Sequence, residues 1–239
     1  MNEPMFYCES IPPAGETARL RGDEAHHAIA ARRLKRGDVL QLFDGHGNLA
    51  RAQYQESGGS RREVELILTI KERQQVAPAK PTIHLACALP KGDRAAVLLD
   101  MATQLGMSSF TPLRCERSVV DPSENALQRL RRICLEACKQ SRRAYIPEIR
   151  TPRTIEEVVA RGSAIWIAHP DGEVVNRVLP KMGEDLTILI GPEGGFTEDE
   201  VAQASTHGAT RVALGANILR IETAAVSLLG LALLGRPKT

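Results

Sequence analysis

The chain has 239 residues, 43% hydrophobic and 25% charged, with 31 Lys and Arg against 29 Asp and Glu for a net charge of +2. This composition excludes a disordered chain, a collagen-like chain and a short disulfide scaffold, and the length suits one to two domains. With only four Phe, three Tyr and one Trp, the core is expected to be aliphatic, and recognition by stacked aromatic platforms is not expected.

The first 72 residues read as β. Residues 39–43 form a short apolar run, Asp44-Gly45-His46-Gly47 a tight turn, and 49–55 a second strand. Residues 62–71 alternate, with Val64, Leu66, Leu68 and Ile70 on one face. Only 23–34 breaks the pattern, as a short helix. A small barrel over 1–73 accounts for this half. Residues 74–81, with Pro78 and Pro81 and no periodicity, read as a linker to a second domain over 82–239.

There the rhythm changes to alternating strand and helix. Residues 83–89, 110–115, 164–168, 186–190 and 211–214 read as strands. Residues 93–105 read as a helix closed by Gly106, 125–142 as a long amphipathic helix, and 224–234 as the last helix. Thr154-Ile155-Glu156-Glu157 and Thr197-Glu198-Asp199-Glu200 are capping boxes that open two more. Apolar strands separated by helices predict a parallel sheet covered on both faces.

Charge is uneven. Residues 19–36 hold six bases and two acids, 128–150 seven bases and two acids, and 191–201 four acids and no base. Two basic patches in a nearly neutral chain point to a polyanionic partner, against the plainer reading of a solvated face. The longest apolar run, 224–235, is 12 residues, and about 20 are needed to span a bilayer. The first ten residues carry two acids and no base, unlike a signal peptide. A cytoplasmic protein without a membrane anchor is therefore expected. Cys8, Cys87, Cys115, Cys134 and Cys138 form no CxxC pattern and are expected as reduced thiols. Cys134 and Cys138, one helical turn apart in an apolar stripe, read as core residues, and no metal is expected.

In open α/β sheets, ligands bind beyond the carboxyl ends of the strands. Two such ends stand out: 186–190 followed by Gly191-Pro192-Glu193-Gly194-Gly195-Phe196, and 211–214 followed by 215–223, Gly215 to Thr223. Neither is GxGxxG or a P-loop. The acids after the first loop would repel a phosphate and suit a helix N-terminus. A neutral or cationic ligand is expected, held by backbone groups and apolar walls. S-adenosylmethionine, a sulfonium without phosphate, answers that description.

GPEGGFTEDEV at 191–201 and LGANILRIETAA at 214–225 resemble the two closing motifs of the SPOUT methyltransferases. More narrowly, the chain resembles the ribosomal RNA small subunit methyltransferase E family. HHAIAARRLKRGDVLQLFDGHG at 26–47 is similar to that family's PUA-like RNA-binding barrel. LPKGDR at 89–94, ATQLG at 102–106, ERSVV at 116–120 and EACKQSRR at 136–143 are similar to its middle motifs. Two positions depart from the family pattern: Met5 stands where an arginine is usual, and Gln104 where an acid is usual.

The resemblance implies a C-terminal SPOUT α/β domain with a trefoil knot, beside the PUA-like barrel. It implies an S-adenosylmethionine-dependent enzyme that methylates N3 of one uridine near the 3′ end of 16S ribosomal RNA in the 30S subunit, working as a homodimer. It places Ala168, Ile190, Gly191, Glu193, Gly195, Leu214, Gly215, Ile218 and Leu219 around the cofactor. Arg220 is expected to orient the base and stabilise its charge, the alternative being an ion pair with Glu222 or Glu193. Glu222 reads as an N-cap or first-turn acid of the last helix, and His26 and His27 as barrel surface or RNA contacts. Arg32, Arg33, Lys91, Arg117, Gln140 and Arg143 are the candidate RNA contacts. Two other readings stand beside this one: a SPOUT methyltransferase acting on another RNA, such as transfer RNA ribose, and a non-catalytic RNA-binding protein.

Overall fold

The computed structural model describes residues 3–30, 33–59, 64–159, 164–174 and 184–233. The chain forms two compact units, Met1–Pro78 with Cys138–Ile146, and Ala79–Ala137 with Pro147–Thr239.

In the first unit, strands β1 (Met5–Tyr7), β2 (Thr17–Arg21), β3 (Val39–Phe43), β4 (Asn48–Gly59) and β5 (Val64–Gln75) form one sheet ordered β1-β3-β4-β5-β2. β1 runs parallel to β3, and the other pairs are antiparallel. Helix α1 (Gly22–Ala30) packs against β1, β2 and β5, and so fills the gap between the two edge strands. Alternation drives the burial: Ala18 and Leu20 of β2 and Leu66, Leu68 and Ile70 of β5 point into the core with Phe6, Leu40 and Leu42. The Asp44 turn closes as expected, its carboxylate accepting from the N–H groups of His46 and Asn48.

The helix expected over 23–34 is described over Gly22–Ala30, and residues 31–32 lie outside the described residues. Arg33 takes a φ of 51°, in the left-handed region, and the N–H groups of Arg33 and Leu34 turn back to Ile29 and Ala28. Residues 138–146, placed in the second domain by sequence, belong to this unit. Lys139 Nζ pairs with Glu24 at 2.6 Å, and the Tyr145 hydroxyl donates to the Val76 carbonyl.

The second unit contains β6 (Ile83–Cys87), α2 (Arg94–Gln104), β7 (Ser109–Pro112), α3 (Glu124–Ser141) as far as Ala137, β8 (Glu148–Ile149) and α4 (Ile155–Val159). It continues with β9 (Ala164–Val174), β10 (Leu186–Ile190), α5 (Glu198–Thr206), β11 (Thr210–Ala213) and α6 (Ile221–Leu233). Its six strands lie in the order β11-β9-β10-β6-β7-β8, every pair parallel. All five residues of β10 are buried, as a central strand covered on both faces requires. This is the α/β class expected, with the smaller β unit before it.

Both capping boxes form. Thr197 Oγ1 accepts from the Glu200 N–H while the Glu200 carboxylate accepts from the Thr197 N–H, and Thr154 and Glu157 do the same. The last helix begins at Ile221, three residues before the expected start, and its expected end at 234 lies outside the described residues.

Candidate functional site

Strands β11, β9 and β10 are neighbours in the sheet, and the segments that follow β10 and β11, with residues 168–171 within β9, line one cavity of about 780 Å³. Open α/β sheets bind ligands at this position, and the volume is ordinary for a small-molecule site.

The first wall comes from β9 itself. Arg211 of β11 pairs with Ile167, and the next residue, Val212, pairs with Glu173. Residues 168–172 are therefore surplus on β9 and bulge from the ladder. Ala168, His169, Pro170 and Asp171 face the cavity. The bulge returns at Gly172, where a Cβ would lie 2.6 Å from the backbone of Val212. A strand ending at 168 was expected; the pairing carries it on to Val174.

The second wall is the loop after β10. Gly195 adopts a φ of 71°, and its N–H closes a turn onto the Pro192 carbonyl at 2.8 Å. Arg117 holds this loop from outside: Nη1 donates to the Gly194 carbonyl at 2.7 Å and to that of Phe196 at 3.4 Å. The neighbouring Glu116 N–H donates to Glu200 Oε1 at 2.9 Å. The third wall is 212–221, whose residues 215–220 are all exposed; Ile218 is 96% exposed.

All ten residues expected around the cofactor and the base line this one cavity: Ala168, Ile190, Gly191, Glu193, Gly195, Leu214, Gly215, Ile218, Leu219 and Arg220. Arg220 is exposed and forms no ion pair with the described residues; Arg94, absent from the expected set, takes the acids instead. Its Nη2 bonds Glu193 Oε1 at 2.8 Å, and its Nη1 lies 3.9 Å from Glu222 Oε2. Glu222 sits in the first turn of α6, buried. Asp171 and Leu228 also line the cavity without having been expected.

Cys87, at the end of β6, is pushed well above the ordinary thiol range by burial, with the charges of Cys115, Glu222 and Glu193 adding to the effect. Burial and the nearby Glu200 push Cys115 up to about 12. Both thiols stay protonated at neutral pH and offer no nucleophile. Among the described residues, no three His, Cys, Asp or Glu side chains are grouped to hold a metal ion. No helix among them is long and apolar enough to cross a membrane.

The candidate RNA contacts are dispersed. Arg32 lies outside the described residues. Arg33 is exposed in the first unit, Lys91 is exposed between β6 and α2, and Gln140 is exposed while Arg143 is half-buried. Arg117 is committed to the carbonyls of the second wall. Lys91 and Arg117 belong to the second unit, Arg33, Gln140 and Arg143 to the first. His26 and His27 are exposed on α1, the latter edge-on to Phe6.

Comparison with known proteins bears on both units. Residues 78–233 match the family model of an RNA methyltransferase domain, and residues 20–67 match an RNA methyltransferase PUA domain. The ribosomal RNA small subunit methyltransferase E of Mycobacterium bovis is 33% identical over 238 residues, covering 95% of this chain and 89% of that protein. The protein of the same name from Rickettsia conorii is 32% identical, covering 84% and 83%. Among solved structures, a putative methyltransferase from Legionella pneumophila in complex with bound cofactor SAM superposes with a TM-score of 0.88 at 28% identity, covering 98% of both chains. A ribosomal RNA small subunit methyltransferase E from Neisseria gonorrhoeae bound to S-adenosyl methionine gives 0.85 at 25% identity, again over 98% of both.

Proposed function

The chain belongs to the ribosomal RNA small subunit methyltransferase E family, and from that premise we propose that it transfers a methyl group from S-adenosylmethionine to N3 of one uridine near the 3′ end of 16S ribosomal RNA. The observation that carries the reading is the convergence of the loops after β10 and β11 and the bulge within β9 on one cavity of about 780 Å³.

The lining suits S-adenosylmethionine. Ile190, Leu214, Ile221 and Leu228 give apolar walls, the glycine-rich loops offer backbone groups, and Glu193 and Asp171 bring carboxylates to a cationic ligand. When bound, the cofactor supplies an electrophilic methyl group on a sulfonium. The protein's task is alignment, together with care of the charge that develops on the base. Uridine N3 must lose its proton as it is methylated. Arg220, exposed on the third wall with no ion pair among the described residues, is free to face a uracil oxygen and stabilise the developing anion. A guanidinium cannot take the proton at neutral pH, so Arg220 serves as the charge-stabilising and orienting group.

The assembled 30S subunit is the proposed substrate, gripped through phosphate contacts from Arg32, Arg33, Lys91, Gln140 and Arg143. The proposal includes a cytoplasmic homodimer; the exposed apolar side chains of Ile218 and Leu219 at the cavity mouth support a second copy covering that loop.

Isothermal titration with S-adenosylmethionine tests the site. The wild-type chain should bind one molecule per chain. In G191V a Cβ placed 3.1 Å from the Phe196 ring, with two further methyls, should weaken binding at least about tenfold. Absence of binding by the wild type would overturn the reading.

A further inference from the structure

Arg94 opens α2 and reaches the cavity from outside its three walls. Its guanidinium faces two carboxylates from different segments. Nη2 donates to Glu193 Oε1, on the loop after β10, at 2.8 Å. Nη1 lies 3.9 Å from Oε2 of Glu222, in the first turn of α6, which directly follows the third wall.

The two carboxylates differ in setting. The side chain of Glu193 is 40% exposed, that of Glu222 only 12%. Oε2 of Glu222 is fully buried and accepts no hydrogen bond from the described residues. A buried carboxylate oxygen without a donor is costly, and 3.9 Å is charge compensation rather than a hydrogen bond. The helix N-terminus favours the charge of Glu222 without supplying Oε2 a donor. A planar guanidinium has donors enough for both acids, and a shift of about 1 Å would bring Nη1 into bonding range of Oε2.

We propose that Arg94 is a positioning residue, a shared counter-ion that couples the loop after β10 to the start of α6, and that its contact with Glu222 tightens into a hydrogen bond when the cavity is filled. The inference rests on the reading of this cavity as the S-adenosylmethionine site. Coupling through Arg94 makes affinity for that ligand depend jointly on Arg94 and Glu222. A direct contact of Arg94 with the ligand would make their contributions independent.

The test is a double-mutant cycle on the full-length chain. S-adenosylmethionine affinity is measured by titration for wild type, R94Q, E222Q and R94Q/E222Q, with R94K as a second variant and urea unfolding of each without ligand as the check on folding. R94Q should weaken binding about tenfold, by stranding a buried carboxylate. E222Q should weaken it about threefold, and the double variant no more than R94Q alone. R94K should recover part of the loss, because an ammonium is a point charge and cannot fork between two acids. R129Q, which breaks the exposed Arg129–Asp93 pair beside α2, should change nothing. Multiplicative losses in the double variant, or an R94Q of normal affinity, would overturn the inference while leaving the site intact. A wild-type chain that binds no S-adenosylmethionine would overturn the site, and this inference with it.

Discussion

Arg117 separates two roles that its position in the sequence leaves undivided. As an RNA contact its head would point at phosphate. In the structure Nη1 is held by the carbonyls of Gly194 at 2.7 Å and Phe196 at 3.4 Å, and Cδ packs 3.3 Å from where a Cβ of Gly194 would stand. R117A removes that brace from the loop after β10. A hydrogen bond from a charged donor contributes about 1.5–3 kcal/mol when desolvated. Arg117 is exposed, so water reaches both vacated carbonyls and about 1 kcal/mol remains. That corresponds to roughly fivefold in dissociation constant. Titration of S-adenosylmethionine into the variant should show this loss in the absence of any RNA, with the salt dependence of RNA binding unchanged. Unaltered cofactor affinity together with a shallower salt slope for RNA would refute the brace and return Arg117 to the phosphate contacts.

R220A should lower the rate of methyl transfer by about 10²–10³-fold while cofactor affinity stays within twofold, since the residue is proposed to act on the developing charge; single-turnover kinetics at saturating cofactor measures it, and a normal rate would remove the role. G172A forces a Cβ to 2.6 Å from the Val212 backbone and must part β9 from β11; a loss of about 1–3 kcal/mol, or roughly 5 °C in calorimetric Tm, is expected, and an unshifted Tm would contradict the tight return of the bulge. Burial raises the carboxyl pKa of Asp44, but hydrogen bonds from the Asn48 side chain and the His46 and Asn48 N–H groups outweigh it and leave the pKa lowered. Its ionised form therefore stabilises the fold above the unfolded value of about 3.9, and that stability is lost as pH falls through the lower folded value. D44N should be less stable than wild type at pH 7, with the gap narrowing as the pH falls below about 3.9, in urea unfolding; a gap constant across the acid range would contradict the assignment.

What the sequence makes legible here is local. β10 reads as a buried strand because four of its five residues are large and aliphatic, and the boxes at Thr154 and Thr197 read as helix starts because donor and acceptor lie three residues apart. The loops after β10 and β11 announce themselves by glycine density. The resemblance to known motifs then says which of these loops meet. The bulge at 168–172 is not legible, because it arises from the register in which β11 lies along β9. Arg94 and Arg117 are missed as supports for the same reason: their partners on the loop after β10 are 99 and 77 residues away, and no short-range pattern marks either. Residues 138–146 read as part of the second domain because the helix before them is continuous, whereas their contacts with Glu24, Gly45, Gly47 and Val76 assign them to the first unit. Arg33, inside the helix expected over 23–34, takes a left-handed backbone angle that arginine seldom adopts, which propensity cannot foresee.

The central claim is the transfer of a methyl group to uridine N3 in the small ribosomal subunit. The most direct measurement incubates the purified chain and S-adenosylmethionine carrying a labelled methyl group with unmodified 30S subunits, naked 16S RNA and bulk transfer RNA, then digests each RNA and identifies the labelled nucleoside. The account predicts label in 3-methyluridine, from the 30S sample. Label in a transfer RNA nucleoside, or in a ribose-methylated one, would contradict the target, and label in no RNA despite measurable cofactor binding would contradict the catalytic role itself.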